Sequence, residues 1–224
     1  MKSRLVVALD GPAGAGKGTV CRGVAARCGL LYLDTGAIYR AVALSSLEHG
    51  VEKDNVEALA EIARTMPFEF RLDGNGAWKA WLGERDVSQS LREEDVGQRA
   101  SQVSALQPVR AALLEFQRGY GAGVDVVLDG RDVGTVVFPD ADLKIFLTAS
   151  LEERANRRVR ELHQRGEPAN LTRIREDMAQ RDARDAGRKH APLLPADDAI
   201  VVDTSSMTPE QAVDSVVQLV EEKR

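Results

Sequence analysis

Apolar residues in this chain gather into short, nearly continuous runs at residues 5–9, 30–33, 124–128, 143–147 and 199–202. A strand with water on one face alternates apolar and polar positions, whereas a strand covered on both faces has no polar side to show. The five runs therefore predict five strands buried in a parallel sheet. Several stop at a polar residue beside a turn, as in Asp10-Gly11, Asp34-Thr35-Gly36, Asp129-Gly130 and Asp203-Thr204. Helical patterns, among them residues 18–27, 108–117 and 151–164, fill most of the intervals. Strand and helix in alternation point to a doubly wound α/β sheet, whose ligands sit at the carboxyl ends of the strands. The last helix is marked by Thr208 as N-cap, Pro209 at the first helical position and Gln211 closing a capping box.

The rhythm changes between residues 67 and 90. Phe68-Glu69-Phe70-Arg71-Leu72 and Trp78-Lys79-Ala80-Trp81-Leu82 alternate in character and flank Gly74-Asn75-Gly76. That pattern predicts an antiparallel β-hairpin. A hairpin has no place in a parallel sheet, so it marks an inserted subdomain at about residues 63–100. Trp78 and Trp81 are read as filler of a small core rather than as a platform for stacking bases.

The 224 residues accommodate one domain with decorations, and 43% hydrophobic with 29% charged residues exclude disorder of the whole chain. A net charge of −5 argues against a general nucleic-acid binder. Of the 30 basic residues other than histidine, 7 are lysine and 23 arginine, whose planar fork matches phosphate oxygens. Codon bias of a GC-rich genome would give the same count, so position must decide. Cys21 and Cys28 are spaced for one helix face roughly 10 Å apart, beyond disulfide reach, and read as small core residues. No CxxC or Cys/His cluster suggests zinc. The run at 5–9 is too short for a signal peptide or a membrane span, so a cytoplasmic location is expected.

The strongest motif is Gly11-Pro12-Ala13-Gly14-Ala15-Gly16-Lys17-Gly18-Thr19, which matches the core of a Walker A loop. A buried run leads into it and a helical pattern follows. Glycines let backbone N–H groups approach phosphate oxygens closely, the helix start adds its positive end, and Lys17 supplies a mobile charge. Gly18 stands where the general pattern has Ser or Thr, and the hydroxyl arrives one position later at Thr19. The motif implies ATP as phosphoryl donor.

The run Gly14-Ala15-Gly16-Lys17-Gly18-Thr19 resembles the nucleoside monophosphate kinases. Leu33-Asp34-Thr35-Gly36-Ala37-Ile38-Tyr39-Arg40, the stretch from Asp129-Gly130-Arg131-Asp132 to Phe138-Pro139, Arg181-Asp182-Ala183-Arg184-Asp185 and the hairpin insert narrow the resemblance to the bacterial cytidylate kinases. It implies a single kinase domain over residues 1–224, with a P-loop core of about five strands at roughly 1–62, 101–150 and 190–224. A monophosphate-binding arm at about 63–100 and a helical lid at about 151–189 complete it. The implied reaction, part of pyrimidine nucleotide metabolism, passes the γ-phosphoryl group of ATP to CMP or dCMP with Mg²⁺. By the family pattern Arg40, Arg110, Arg131 and Arg188 grip the acceptor phosphate. Ser101, Arg110 and Asp132 read the cytosine edge, and Thr35 and Asp185 contact the sugar. Lys17, Arg131, Arg184 and Arg188 are the implied catalytic groups, and Thr19 with Asp129 the candidates for ordering Mg²⁺ through water. The expected partners are ATP, CMP and dCMP, with neither nucleic acid nor membrane, and a monomer is expected.

The residues themselves carry part of this. Arg131 follows the third apolar run and so belongs at the carboxyl edge of the sheet, and Arg40 follows the second run by one short turn. Arg181, Arg184 and Arg188 are spaced for one helical face, with Asp182 and Asp185 among them. A salt-bridged solvent helix would show the same spacing. For Asp132, a base-reading carboxylate by the family pattern, structural pairing with Arg131 is the alternative. Among rival functions, a kinase for UMP, AMP or another small acceptor keeps the P-loop. A GTPase-like switch would need an N/T-K-x-D motif, which is absent, and a vestigial P-loop is hard to reconcile with Lys17.

Overall fold

The computed structural model describes residues 4–72, 78–120 and 122–224; the Gly74-Asn75-Gly76 turn lies outside them. Two compact units emerge, one made of Met1–Leu33 with Tyr120–Arg224 and the other of Asp34–Gly119.

The first unit is built on five strands: β1 (Val6–Asp10), β2 (Leu31–Asp34), β6 (Val126–Gly130), β7 (Leu143–Thr148) and β8 (Ile200–Asp203). They form one sheet of order β2-β6-β1-β7-β8. β1 runs parallel to β6 and β7, with Val7 opposite Val127 on one side and Leu143 on the other. Every residue of β1 and β6 is buried, as their nearly continuous apolar runs lead one to expect. β2 and β7 are buried only in part, and β8 departs furthest from the two-sided burial expected from its sequence. It pairs only with β7 and stands at the sheet's edge, which leaves Ile200 and Val201 exposed and only Val202 buried.

Helices α1 (Lys17–Cys28) and α8 (Pro209–Lys223) pack together on this sheet. Their closest approach is at Gly23, where a Cβ would stand 2.7 Å from a methyl of Val213. Val20, Cys21, Val24, Ile145, Leu147 and Val216 fill the core between, and Cys28 joins it. α8 opens with the capping box read from Thr208 and Gln211, and Pro209 sits in its first turn. Helices α6 (Leu151–Gln164) and α7 (Leu171–Ala186) follow β7 and contact each other. No helix among the described residues is long and apolar enough to cross a membrane.

The second unit packs α2 (Thr35–Glu48) on α4 (Glu94–Val103) and α3 (Val56–Thr65) on α5 (Gln107–Gly119). Its sheet joins β3 (Phe68–Leu72), β4 (Trp78–Leu82) and the short β5 (Arg85–Asp86). The hairpin is antiparallel, with Phe70 opposite Ala80. Phe68 rather than a tryptophan is the buried aromatic, set edge-on to Phe70 at 5.0 Å between ring centroids. Trp78 is 40% exposed, and Trp81 is half-buried with the Arg71 guanidinium 4.7 Å above its ring. The tryptophans are therefore not core filler: one lies open and the other carries a cation.

Candidate active site

Residues 11–16 turn the chain from β1 into α1. Gly11 has φ 149°, and a Cβ on it would stand 1.9 Å from the Leu147 carbonyl oxygen of β7, so no other residue fits. Gly14 and Gly16 are left-handed, at φ 76° and 95°. Such a succession shapes a concave backbone for anions, and the start of α1 lies beside it with no side chain capping it. The Lys17 ammonium donates to Pro12 O at 2.8 Å, across the loop's own mouth. Burial holds the Lys17 pKa down to about 7, helped by the neighbouring charges of Arg131 and Arg181 and opposed by Asp129 and Asp10.

Asp129, the fourth residue of β6, is buried, and its Oδ2 accepts the Tyr32 hydroxyl at 3.0 Å. A Cβ on Gly18 would lie 3.4 Å from both Asp129 Oδ2 and the Tyr32 oxygen, and 3.3 Å from the Arg22 guanidinium. A side chain at position 18 would therefore crowd the carboxylate, the Tyr32 hydroxyl and Arg22. Thr19 is exposed on the first turn of α1.

Arg131 follows β6 directly. Its Nε donates to Asp185 Oδ2 at 3.1 Å and one terminal nitrogen donates to Gly130 O at 3.1 Å. Asp185 is 1% exposed and also accepts Arg188 at 2.5 Å. The carboxylate paired with Arg131 is therefore Asp185. Asp132 is itself buried. The arginine series does not share one helix: Gly187 closes α7, its N–H bonding Ala183 O, and Arg188 lies beyond the end. Asp185 nevertheless gathers Arg131 and Arg188. Arg184 is exposed on the last turn of α7, whereas Asp185 points inward.

Two arginines of α6 are tied to the P-loop itself. Arg154, buried, donates to Ala149 O at 3.0 Å and to Ala13 O at 3.1 Å, and pairs with Asp182 at 2.7 Å. Arg157 reaches Ala15 O at 3.3 Å and the Thr204 hydroxyl at 3.1 Å, while Thr204 itself donates to Ala15 O at 3.2 Å. The packing is close, since a Cβ on Gly14 would meet Arg154 Cβ at 3.2 Å and the Met178 methyl at 3.3 Å.

The second unit holds the remaining candidates. Thr35 is the buried first residue of α2, whose start is capped by Asp34 accepting from Ala37 N. Arg40 donates to Leu91 O at 2.8 Å, over the bare face of Gly97. Arg110 lies 5.6 Å above the Tyr39 ring and donates to Ser104 O at 3.2 Å; the Ser104 hydroxyl in turn donates to the carbonyl of buried Ser101. Ser101 and Arg110 are thus linked through Ser104.

Sequence reasoning missed Tyr32 and Thr204, and the bonds of Arg154 and Arg157 to the P-loop. Arg154 and Arg157 sit one turn apart on α6, a spacing any solvated helix shows. Thr204 read only as a turn residue, and Tyr32 only as part of a strand. Tyr32 meets Asp129, 97 positions away, and Arg154, Arg157 and Thr204 reach backbone carbonyls of the P-loop more than a hundred positions away, bonds that leave no local pattern.

A model of the cytidylate kinase family matches residues 7–222. A cytidylate kinase of Magnetococcus marinus is 53% identical over 222 residues, spanning 98% of this chain and 97% of that protein. One from Chromobacterium violaceum is 50% identical over 219 residues, spanning 98% and 96%. Among solved structures, an uncharacterized protein from Eubacterium ventriosum aligns over 98% of this chain and 99% of its own with a TM-score of 0.52 at 10% identity, a likeness of fold alone.

Proposed function

The chain belongs to the cytidylate kinase family, and on that premise we propose how its residues divide the transfer of the γ-phosphoryl group from ATP to CMP or dCMP. An oxygen of the acceptor phosphate attacks the γ-phosphorus, the bond from that phosphorus to the β–γ bridging oxygen breaks, and ADP and CDP (or dCDP) result. Catalysis of such a step is mostly positioning and charge neutralisation.

Residues 11–19 receive the ATP phosphates, with the glycine backbone and the start of α1 meeting the β-phosphate. Lys17 leaves Pro12 O to bridge toward the γ-phosphoryl group. Arg131 and Arg188 share Asp185 and turn their guanidinium forks to the acceptor phosphate, where bidentate donors act best. Arg40 and Arg110 are further contacts to that phosphate, and Arg184 a further charge on the transferred group. Ser101, Arg110 and Asp132 read the base, while Thr35 and Asp185 meet the sugar. Base reading by buried polar groups rejects a wrong base strongly, because the mismatch leaves them unpaired. Residues 63–100 are the acceptor's arm, and residues 151–189 are the lid that excludes water.

The described residues fit a magnesium ion held partly by the nucleotide. No group of three or more carboxylate, histidine or cysteine side chains among them could hold a metal unaided. Mg²⁺ keeps several waters and takes one or two carboxylates together with substrate phosphates. Asp129, buried at the end of β6, and Thr19 would order that hydrated ion, which would supply positive charge against the β- and γ-phosphates.

The observation that carries this reading is Lys17 within a glycine cradle at the end of β1, with the Arg131–Asp185–Arg188 cluster in the same compact unit. We take the enzyme to work as a cytoplasmic monomer on free nucleotides. A coupled assay of ADP release against a panel of monophosphates tests the function; AMP as the best acceptor would sink it.

A further inference from the structure

Asp10 closes β1 and is 5% exposed. Its position next to Gly11 suggests service to the P-loop, yet both of its oxygens turn elsewhere. Oδ1 accepts Val133 N and Oδ2 accepts Gly134 N, each at 2.8 Å. Those two amides open a single π-helical turn, Val133–Val137, held by Val137 N to Asp132 O at 3.2 Å and Phe138 N to Val133 O at 2.7 Å. The first amides of any helical turn lack partners within it. Asp132, at the N-cap position, does not cap this turn with its own side chain. A carboxylate from a different strand does so instead, and thereby fixes the backbone immediately after Arg131 and Asp132.

The arrangement is costly. Burial, and then the charge of Asp132, push the Asp10 pKa up to about 6, although both amides and Lys17 favour its ionised form. Lys17 from α1 and Asp132 from the turn after β6 are the charged groups that face it. The turn it clamps has little slack, for a Cβ on Gly134 would meet the Lys144 methylenes at 3.2 Å and Ala8 Cβ at 3.5 Å.

We propose that Asp10 is a positioning residue for the acceptor nucleotide, acting through the Val133 and Gly134 amides to hold Arg131 and Asp132 in place. The inference rests on the reading of Arg131 and Asp132 as acceptor contacts. Asparagine at position 10 can accept only one of the two bonds and sets its NH₂ against the other amide, so Asp10→Asn loosens the turn while keeping size and burial.

Steady-state kinetics on Asp10→Asn should show KM for CMP raised about tenfold, the scale of one lost buried hydrogen bond, with KM for ATP changed less than about twofold. The effect should be non-additive with Asp132→Asn, because both act on one contact. Equal increases in both KM values, or an increase for ATP alone, in a variant that melts like the wild type would overturn the proposal and return Asp10 to the P-loop. Arg131→Ala run alongside separates the premise from the inference. If it leaves KM for CMP unchanged, the acceptor reading fails; if it raises that KM while Asp10→Asn does not, only the role of Asp10 fails. Should Asp10→Asn not fold, hydrogen exchange on the wild-type protein decides: CMP alone should slow exchange in residues 131–138, and slowing by ATP alone but not by CMP would refute the proposal.

Discussion

Arg131 Nε donates to Asp185 Oδ2 at 3.1 Å, joining the residue that follows β6 to the last turn of α7. Arg188 takes the other oxygen of that carboxylate, so one buried negative charge faces two guanidinium groups. The three side chains together carry a net positive charge and two planar forks, the requirements for seating a phosphate dianion in a dry place.

Arg131→Ala should lower kcat at least about a hundredfold and raise KM for CMP, with KM for ATP little changed; arginines that stabilise this kind of transfer contribute roughly 10³–10⁵-fold. Arg131→Lys should recover part of the loss, since an ammonium keeps the charge without the fork. Kinetics together with circular dichroism check both. A folded Arg131→Ala enzyme with normal constants would show that Arg131 serves only to neutralise Asp185.

Lys17 should take up a proton when ATP binds. With a folded-state pKa near 7 and an unfolded value of 10.5, the unfolded chain holds more protons across that window. Its burial cost therefore weighs fully below pH 7 and fades as pH rises toward 10.5. Phosphate oxygens near the ammonium raise its pKa again. Binding heats measured at pH about 8 in buffers of different ionisation enthalpy should differ accordingly. Lys17→Met should abolish the difference while lowering turnover by several orders of magnitude. Identical heats in all buffers for the wild type would show that the ammonium is already charged.

Arg154→Ala should destabilise the protein by about 2 kcal/mol, because it leaves the half-buried Asp182 without its partner and two carbonyls without a donor. KM for ATP should rise as well, since Ala13 O loses its donor, whereas KM for CMP should stay put. Adding Asp182→Ala should restore part of the stability and none of the ATP affinity. Thermal melts and kinetics on the pair resolve the two effects.

Among acceptors, CMP and dCMP should lead, UMP should be clearly worse, and AMP and GMP poor. The reason is donor–acceptor matching at the base edge rather than size. Equal kcat/KM for UMP and CMP would remove Asp132 from base reading.

How far the sequence could be read follows from the range of each interaction. β1 and β6 are mostly apolar because both faces are covered, and burial writes itself directly into composition. The capping box of α8 and the glycine cradle are equally local, each set by residues within a few positions of one another. The same apolar signal misled at β8, where Ile200 and Val201 are exposed at the sheet's edge; composition records what a residue prefers and not how many neighbours a strand has. The helical face drawn through Arg188 failed for a different reason. Gly187 ends α7, yet Arg188 reaches Asp185 from beyond the helix, so the partnership survived the loss of the spacing that suggested it. The bonds of Asp10, and that of Arg154 to the P-loop, stayed hidden because they go to backbone groups of distant segments, and such groups carry no residue identity to read.

The position of β1 in the middle of its sheet also imposes an order in time. Its neighbours on either side, β6 and β7, begin at residues 126 and 143, and α8, which covers α1, begins at residue 209. At about 5–20 residues per second a ribosome needs on the order of ten seconds to go from β1 to both of its neighbours. Throughout that interval Val6–Asp10 has two unmatched edges, emerging ahead of the strands that will pair with it. The nucleotide cradle is thus synthesised long before it can be assembled, and its apolar stem must stay out of wrong pairings until residues far behind it arrive.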